Sequence, residues 1–211
     1  MKFTTFRRYY LDKYLSETSF SGRVLDVGGK KYNKRGLFEP PLGKVKSWKY
    51  LNIDASTNPD YLNQADNIPV ENNYFDMVLM TEVLEHALNP NEILNELFRV
   101  LKNNGVLIAT MPFLYPIHAD PDDFQRWTPD KIKKEFINAG FHIEKVEPMG
   151  GIIAVILDIV HVYTQKQTFL LKVIKIIIII AFPFFLYFDN RVGLKNKITT
   201  GFVVHASKVL A

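Results

Sequence analysis

Phe6, Tyr10, Leu11, Tyr14 and Leu15 fall at helical spacing, which predicts an amphipathic helix within residues 1–20, packed on the domain. From Arg23 onward short apolar runs alternate with longer amphipathic stretches. Val24-Leu25-Asp26-Val27 is a strand-like run that ends in Gly28-Gly29. Tyr50-Leu51-Asn52-Ile53-Asp54 is a second, closing on an acid, and Phe75 to Met80 a third. A helix is expected from Asn89-Pro90-Asn91, because proline is tolerated in a first turn. Its apolar face is Ile93, Leu94, Leu97, Phe98, Val100 and Leu101, and Asn103-Asn104-Gly105 stops it. Val106 to Met111 reads as a buried strand, and Thr128-Pro129-Asp130 caps a helix running to Gly140. Ile143 to Val146 and Gly201 to Ala206 complete the strands. Strands alternating with helices predict an α/β fold with a mostly parallel sheet covered on both faces. Ligands of such sheets bind beyond the carboxyl ends of the strands, where the strand order reverses.

Two regions break the alternation. Gly29 to Lys49 sets Lys30, Lys31, Lys34, Arg35, Lys44, Lys46 and Lys49 against Glu39, and Pro40, Pro41 and Gly43 disfavour a long helix. Phe169 to Phe188 is close to the ~20 apolar residues that cross a bilayer. Lys172, Lys175 and Pro183 interrupt it, however, and a crossing there would leave the last strand on the wrong side of the membrane. A buried helix, a homodimer interface and an element dipping into one leaflet all fit the segment. The flanking Lys166, Lys172, Lys175, Arg191, Lys195 and Lys197 suit anionic headgroups and favour peripheral membrane contact. A cytoplasmic protein touching the inner face of a membrane is the expected setting.

Composition narrows the class. The chain has 211 residues, 47% hydrophobic and 23% charged, consistent with one folded domain over 1–211 carrying an apolar insertion at about 152–190. The absence of cysteine excludes disulfides and thiolate metal sites. A net charge of +4 fits anionic small molecules or a membrane surface. Tyr32, Phe38 and Trp48 interleave the basic loop, but no nucleic-acid-binding module accompanies them, so nucleic acid is disfavoured.

The glycine pair lets a strand turn tightly and brings backbone close to a ligand. Asp54, 26 residues after Gly28, is placed to accept ribose hydroxyls. Alone, such a pair is as often a plain turn. Further along come Ala65-Asp66-Asn67-Ile68-Pro69, Tyr74-Phe75-Asp76-Met77-Val78, Glu82-Val83-Leu84-Glu85-His86 and Phe98-Arg99-Val100-Leu101 through Leu107. With these, the sequence from about Arg23 to Phe141 resembles the class I S-adenosylmethionine-dependent methyltransferases. The resemblance implies a Rossmann-like three-layer sandwich with a seven-stranded, mostly parallel sheet and an antiparallel last strand. It implies that Asp26, Gly28 and Gly29 surround the methionine part of S-adenosylmethionine and that Asp54 takes the ribose. Asp66, with Asn67 and Ile68, meets the adenine, and Thr81 and Glu82 line the sulfonium side. Carboxylates suit that cofactor, because they accept from hydroxyls and an amine and offset a cation. A negative Asp54 also disfavours a ribose phosphate, which argues against NADP. Lys30 stands where the family often has a further glycine.

Pro112 to Thr128 is too polar and aromatic for a plain connector, and resembles a stretch in one subgroup of these enzymes. It is expected to overhang the cofactor. His118 is the first candidate base for a hydroxyl acceptor, with an ordinary pKa near ~6.5. Asp120 or Asp123 orients it or acts instead, while Arg126 suits an acidic acceptor, and His86 and Tyr115 line the acceptor side. A plain pairing of Arg126 with a neighbouring acid, and of Trp127 with the core, fits the sequence equally well. His118 with Asp120, Asp122 and Asp123 also offers metal ligands, but adjacent loop acids are common and no metal is expected. The expected activity is methyl transfer to a small-molecule or lipid-linked acceptor. The competing readings are a non-catalytic scaffold of the same fold and, less favoured, a nucleotide-cofactor oxidoreductase.

Overall fold

The computed structural model describes residues 5–32, 36–118, 122–164, 173, 176–178, 180–191 and 197–209. In chain order the elements are α1 (Phe6–Glu17), β1 (Arg23–Val27), β2 (Ser47–Asn52), β3 (Tyr61–Leu62), β4 (Phe75–Thr81), α2 (Pro90–Val100), β5 (Leu101–Pro112), α3 (Pro129–Asn138), β6 (His142–Met149), α4 (Ile152–Tyr163), α5 (Phe182–Arg191) and β7 (Gly201–Ser207). The strands form one sheet in the order β3-β2-β1-β4-β5-β7-β6. Strands β1 to β5 are parallel, and β7 runs antiparallel between β5 and β6.

Side chains alternate across a strand, so each central strand serves two cores. Leu25, Val27, Val78 and Met80 pack with Ile93, Leu94 and Leu97 of α2 and Ile132 and Phe136 of α3. Val24, Met77 and Leu79 face the other way, toward Leu11 and Leu15 of α1. Burial on both faces explains the nearly unbroken apolar run of β4. From β1 the chain moves outward to β2 and β3, whereas from β4 it moves outward to β5 on the other side. The loops after β1 and β4 therefore diverge and open a crevice between them.

The structure moves several predicted boundaries. Strand β2 starts at Ser47 and stops at Asn52, because Ser47, Trp48 and Lys49 pair with Arg23, Val24 and Leu25. Asp54 then caps a short 3-10 turn, Ala55–Thr57. Helix α2 ends at Val100, and Leu101 already pairs with Phe75 in the sheet. The ladder resumes at Met77 and Val106, so Asn103-Asn104-Gly105 is an irregularity within β5 and not a helix stop. Strand β3 is two residues long, too short to leave a period. No helix occupies the span between β1 and β2 among the described residues.

The described parts of the apolar insertion include α4 and α5. Phe6, Ala154, Leu157, Ile178 and Phe182 form a third cluster joining α1, α4 and α5. Two buried acids fix this layer. Asp158 accepts the first N–H groups of α1, from Phe6 at 2.6 Å and Arg7 at 2.9 Å. Asp189 accepts from Gly151 at 2.7 Å, Ile153 at 3.0 Å and Ala154 at 3.2 Å at the start of α4, and from the Tyr10 hydroxyl at 2.8 Å. Each carboxylate satisfies helix N–H groups that have no partner within the helix. Among the described residues no helix is long and apolar enough to cross a membrane. Phe169, Lys166, Lys172, Lys175 and Lys195 lie outside the described residues.

Candidate functional site

The crevice is a cleft of about 1420 Å³ whose wall includes Asp26, Gly28, Gly29, Asp54, Asp66, Thr81, Glu82, His86, Tyr115 and His118. These residues lie at or after the carboxyl ends of the parallel strands β1 to β5. Gly28 has φ +77°, and a Cβ there would stand 2.6 Å from Val83 Cγ2. A Cβ on Gly29 would meet the Asp26 carboxyl at 2.3 Å. The turn therefore needs glycine at both positions for space, and at the first for its dihedral as well.

Asn52, which sequence reasoning passed over, holds this turn. Its Nδ2 donates to the carbonyls of Gly28 at 3.1 Å and Gly29 at 3.0 Å, and its Oδ1 accepts from Asp54 N–H at 2.9 Å. One side chain thus links the glycine loop to the acid after β2. The Asp54 carboxyl is held below its ordinary range, first by the Ser56 hydroxyl and backbone N–H and to a smaller degree by Lys30. Lys30 lines the cleft beside them. Asn67 and Ile68 lie outside the cleft wall. Ile68 is buried in the core, and its N–H donates to Glu96 at 2.6 Å.

Glu82 follows β4 with φ +60°, a strained value for a non-glycine residue. Its carboxylate accepts from the Thr110 hydroxyl at 3.0 Å and pairs with the guanidinium of Arg7. Arg7 is the second residue missed. It reaches in from α1, nearly buried, and lies 4.4 Å over the Tyr115 ring. Burial lowers its pKa to about 10, opposed by the charges of Glu85, Tyr115 and Asp158.

The segment after β5 is fastened to the 3-10 turn Leu84–His86. Gln125 Nε2 donates to the carbonyls of Leu84 and Ala87, both at 2.9 Å, and Phe124 N–H donates to Glu85 O at 2.8 Å. Trp127 is buried in the core. Arg126 grips Asp123 with both guanidinium nitrogens and does not line the cleft. The pairing rests on local spacing, three residues along the chain, and leaves Asp123 with its side chain 2% exposed and its pKa pushed down to about 2. Asp123 in turn accepts from His118 N–H at 2.9 Å and so positions that residue. Asp120 lies outside the described residues. The His118 imidazole is shifted below its ordinary pKa, by burial first and then by Arg7. It meets the His86 ring edge-on at 5.3 Å. Between them sits Glu85, fully buried, its carboxyl pushed above the ordinary range by desolvation.

A family model described as a methyltransferase domain matches residues 3–145. No curated protein matches the chain. Solved structures with the same fold include the [4+2]-cyclase SpnF, with TM-score 0.63 and 16% identity, covering 95% of this chain and 81% of that one. A SAM-dependent methyltransferase from Archaeoglobus fulgidus matches with TM-score 0.59 and 15% identity over 95% and 92% of the two chains. One from Mesorhizobium loti matches with TM-score 0.57 and 13% identity over 95% and 97%.

Proposed function

This chain belongs to the class I S-adenosylmethionine-dependent methyltransferase family, whose cofactor is S-adenosylmethionine; on that premise we propose that it methylates a hydroxyl of a small-molecule or lipid-linked acceptor in the cleft at the strand-order reversal. The observation that supports this most is the meeting, on one wall, of a glycine turn that tolerates no Cβ with the carboxylates of Asp26, Asp54, Asp66 and Glu82. Those groups fit the cofactor. Asp54 would accept the ribose hydroxyls, Asp66 the adenine amine, and Gly28 and Gly29 would pass backbone close to the methionine end, with Asp26 behind them and Thr81 and Glu82 toward the sulfonium. When bound, S-adenosylmethionine supplies an electrophilic methyl group.

The remaining work falls to the acceptor side. Tyr115, His86 and His118 would hold the acceptor oxygen in line, which supplies much of the rate in a displacement at carbon. The hydroxyl would lose its proton beside His118, whose place is set by Asp123, itself held by Arg126. Calorimetry with S-adenosylhomocysteine tests the cofactor half. Losing a charged hydrogen-bond acceptor in Asp54→Ala should weaken binding by about tenfold or more. Unchanged affinity would remove Asp54 from the site.

Arg7 favours a second reading, a cofactor-binding scaffold without methyl transfer. Its cation pairs with Glu82 on the side where a sulfonium would lie. Tight S-adenosylmethionine binding without turnover across hydroxyl acceptors would favour that reading.

For partners, the support is an apolar face. Ile156, Ile159 and Tyr163 of α4 and Phe184, Tyr187 and Phe188 of α5 are all exposed, with Arg191 and Lys197 nearby in sequence. We propose that this face rests on an anionic membrane surface, which would bring a lipid-linked acceptor to the cleft.

A further inference from the structure

Glu85 is the buried group for which the methyl-transfer scheme has no use. The residue is 0% exposed, and neither carboxylate oxygen accepts a hydrogen bond. Two imidazole nitrogens stand near it, and the charge of Arg7 acts on it as well. His86 Nε2 and His118 Nε2 each lie 3.8 Å from the same atom, Glu85 Oε1.

Donor accounting shows why this is unusual. His86 Nδ1 contacts the backbone carbonyl of Asp122, and a carbonyl only accepts, so Nδ1 carries the proton. His118 Nδ1 faces the Pro116 carbonyl at 3.2 Å and the Asp123 carboxylate at 3.5 Å, both acceptors, and is fixed the same way. With Nδ1 protonated, each Nε2 either carries a second proton, as in an imidazolium, or turns a lone pair toward the carboxylate oxygen. In the neutral form three acceptors converge, and that form calls for a cation between them. Outer partners on Nδ1 that orient Nε2 are also how metal-binding histidines are held.

We propose that Glu85, His86 and His118 bind a divalent transition-metal ion of the zinc class. The ligand atoms all lie within 4.8 Å of one another. Ligands at about 2.0–2.1 Å from a tetrahedral ion stand roughly 3.4 Å apart, so the two Glu85–histidine pairs close from 3.8 Å by a few tenths of an ångström, while a pair as wide as 4.8 Å closes by a little over one, within reach of side-chain rotation. Two imidazoles and a carboxylate favour zinc over magnesium or calcium, which prefer all-oxygen shells. The local charge permits it: Arg7 is paired with Glu82 and Arg126 with Asp123, so each cation already has an acid of its own besides Glu85. Three protein ligands leave a fourth position open, and His86 and His118 both line the cleft. Resting on the methyl-transfer reading, that position is where the acceptor oxygen binds. With His118 Nε2 a ligand, the ion would take over from the imidazole in acidifying the hydroxyl: its proton would pass to solvent, and the oxygen would bond to the methyl carbon as the carbon–sulfur bond breaks and S-adenosylhomocysteine leaves.

The test is titration of the chelator-treated full chain with zinc alone by calorimetry, and with cobalt followed by its visible absorption. One ion per chain is expected, with a cobalt spectrum of low coordination number. Glu85→Gln and His118→Asn should each weaken zinc at least tenfold, with circular dichroism unchanged. Should Glu85→Gln fail to fold, His86→Asn takes its place. No zinc binding, or zinc binding that these variants leave unaltered, overturns the proposal and assigns the contacts to protons on Glu85 or on the imidazoles. S-adenosylhomocysteine binding is measured on the same metal-free sample. Its presence without zinc binding sinks the metal site alone, and its absence sinks the methyl-transfer reading while leaving the ion to be judged on the zinc titration.

Discussion

Asn52 is the residue whose removal separates loop geometry from cofactor chemistry. It sits at the end of β2 at 8% exposure and carries no charge that a cofactor would need. Its two bonds to the Gly28 and Gly29 carbonyls nevertheless keep the glycine turn against β2. In Asn52→Ala those carbonyls lose their donor. Urea unfolding should show a loss of about 1–2 kcal/mol. S-adenosylhomocysteine affinity should fall as well, although the side chain is not assigned to the ligand. A stability loss with unchanged affinity would show that the turn keeps its shape without the clamp. Arg7 makes a related point. Its type says only that it is cationic, and its partners Glu82 and Tyr115 arrive from elements far along the chain.

At the scale of elements, α1 is held at its N-terminus by a carboxylate from α4. Burial raises the Asp158 pKa to about 6, with Asp189 adding to the rise, while Arg7 and the N–H groups of Arg7 and Phe6 oppose it. A carboxyl whose folded pKa exceeds its unfolded value contributes stability at low pH and loses it as pH rises through the folded pKa. The window here runs from about 4 to about 6, above which both states are ionised. The stability gap between the native chain and Asp158→Asn should therefore narrow between about pH 4.5 and pH 7.5 in urea melts. A gap that widened over that range would mean that the N–H groups of α1 hold the charged form more strongly than burial opposes it. Because α1 carries Arg7 into the cleft, a change in its docking reaches the acceptor side directly.

On the scale of the whole molecule, the exposed apolar face of α4 and α5 is the feature that an isolated globule does not need. Flotation of the intact protein with vesicles containing anionic lipid should carry it to the top of the gradient, and raised salt should reduce the effect. Failure to float, with a dimer in solution, would assign the face to a second copy instead.

The sequence by itself determined the order of the longer strands and helices and the two-sided burial of the sheet, because both follow from local periodicity. The acids along the cleft wall were indicated by the family resemblance, and parallel topology sends the strand ends that carry them to the same side. Boundaries shifted where pairing overrode the pattern, as at Ser47 and Leu101. Tertiary structure alone decided that Arg7 enters from α1, that Asn52 clamps the glycine turn and that Arg126 is engaged with Asp123. It also turned Glu85, which reads in the sequence as one letter of a motif, into a buried acid whose Oε1 lies 3.8 Å from the Nε2 atoms of His86 and His118. Side-chain chemistry is fixed by residue type, but its partner is chosen by where the chain returns, and no local pattern records that distance.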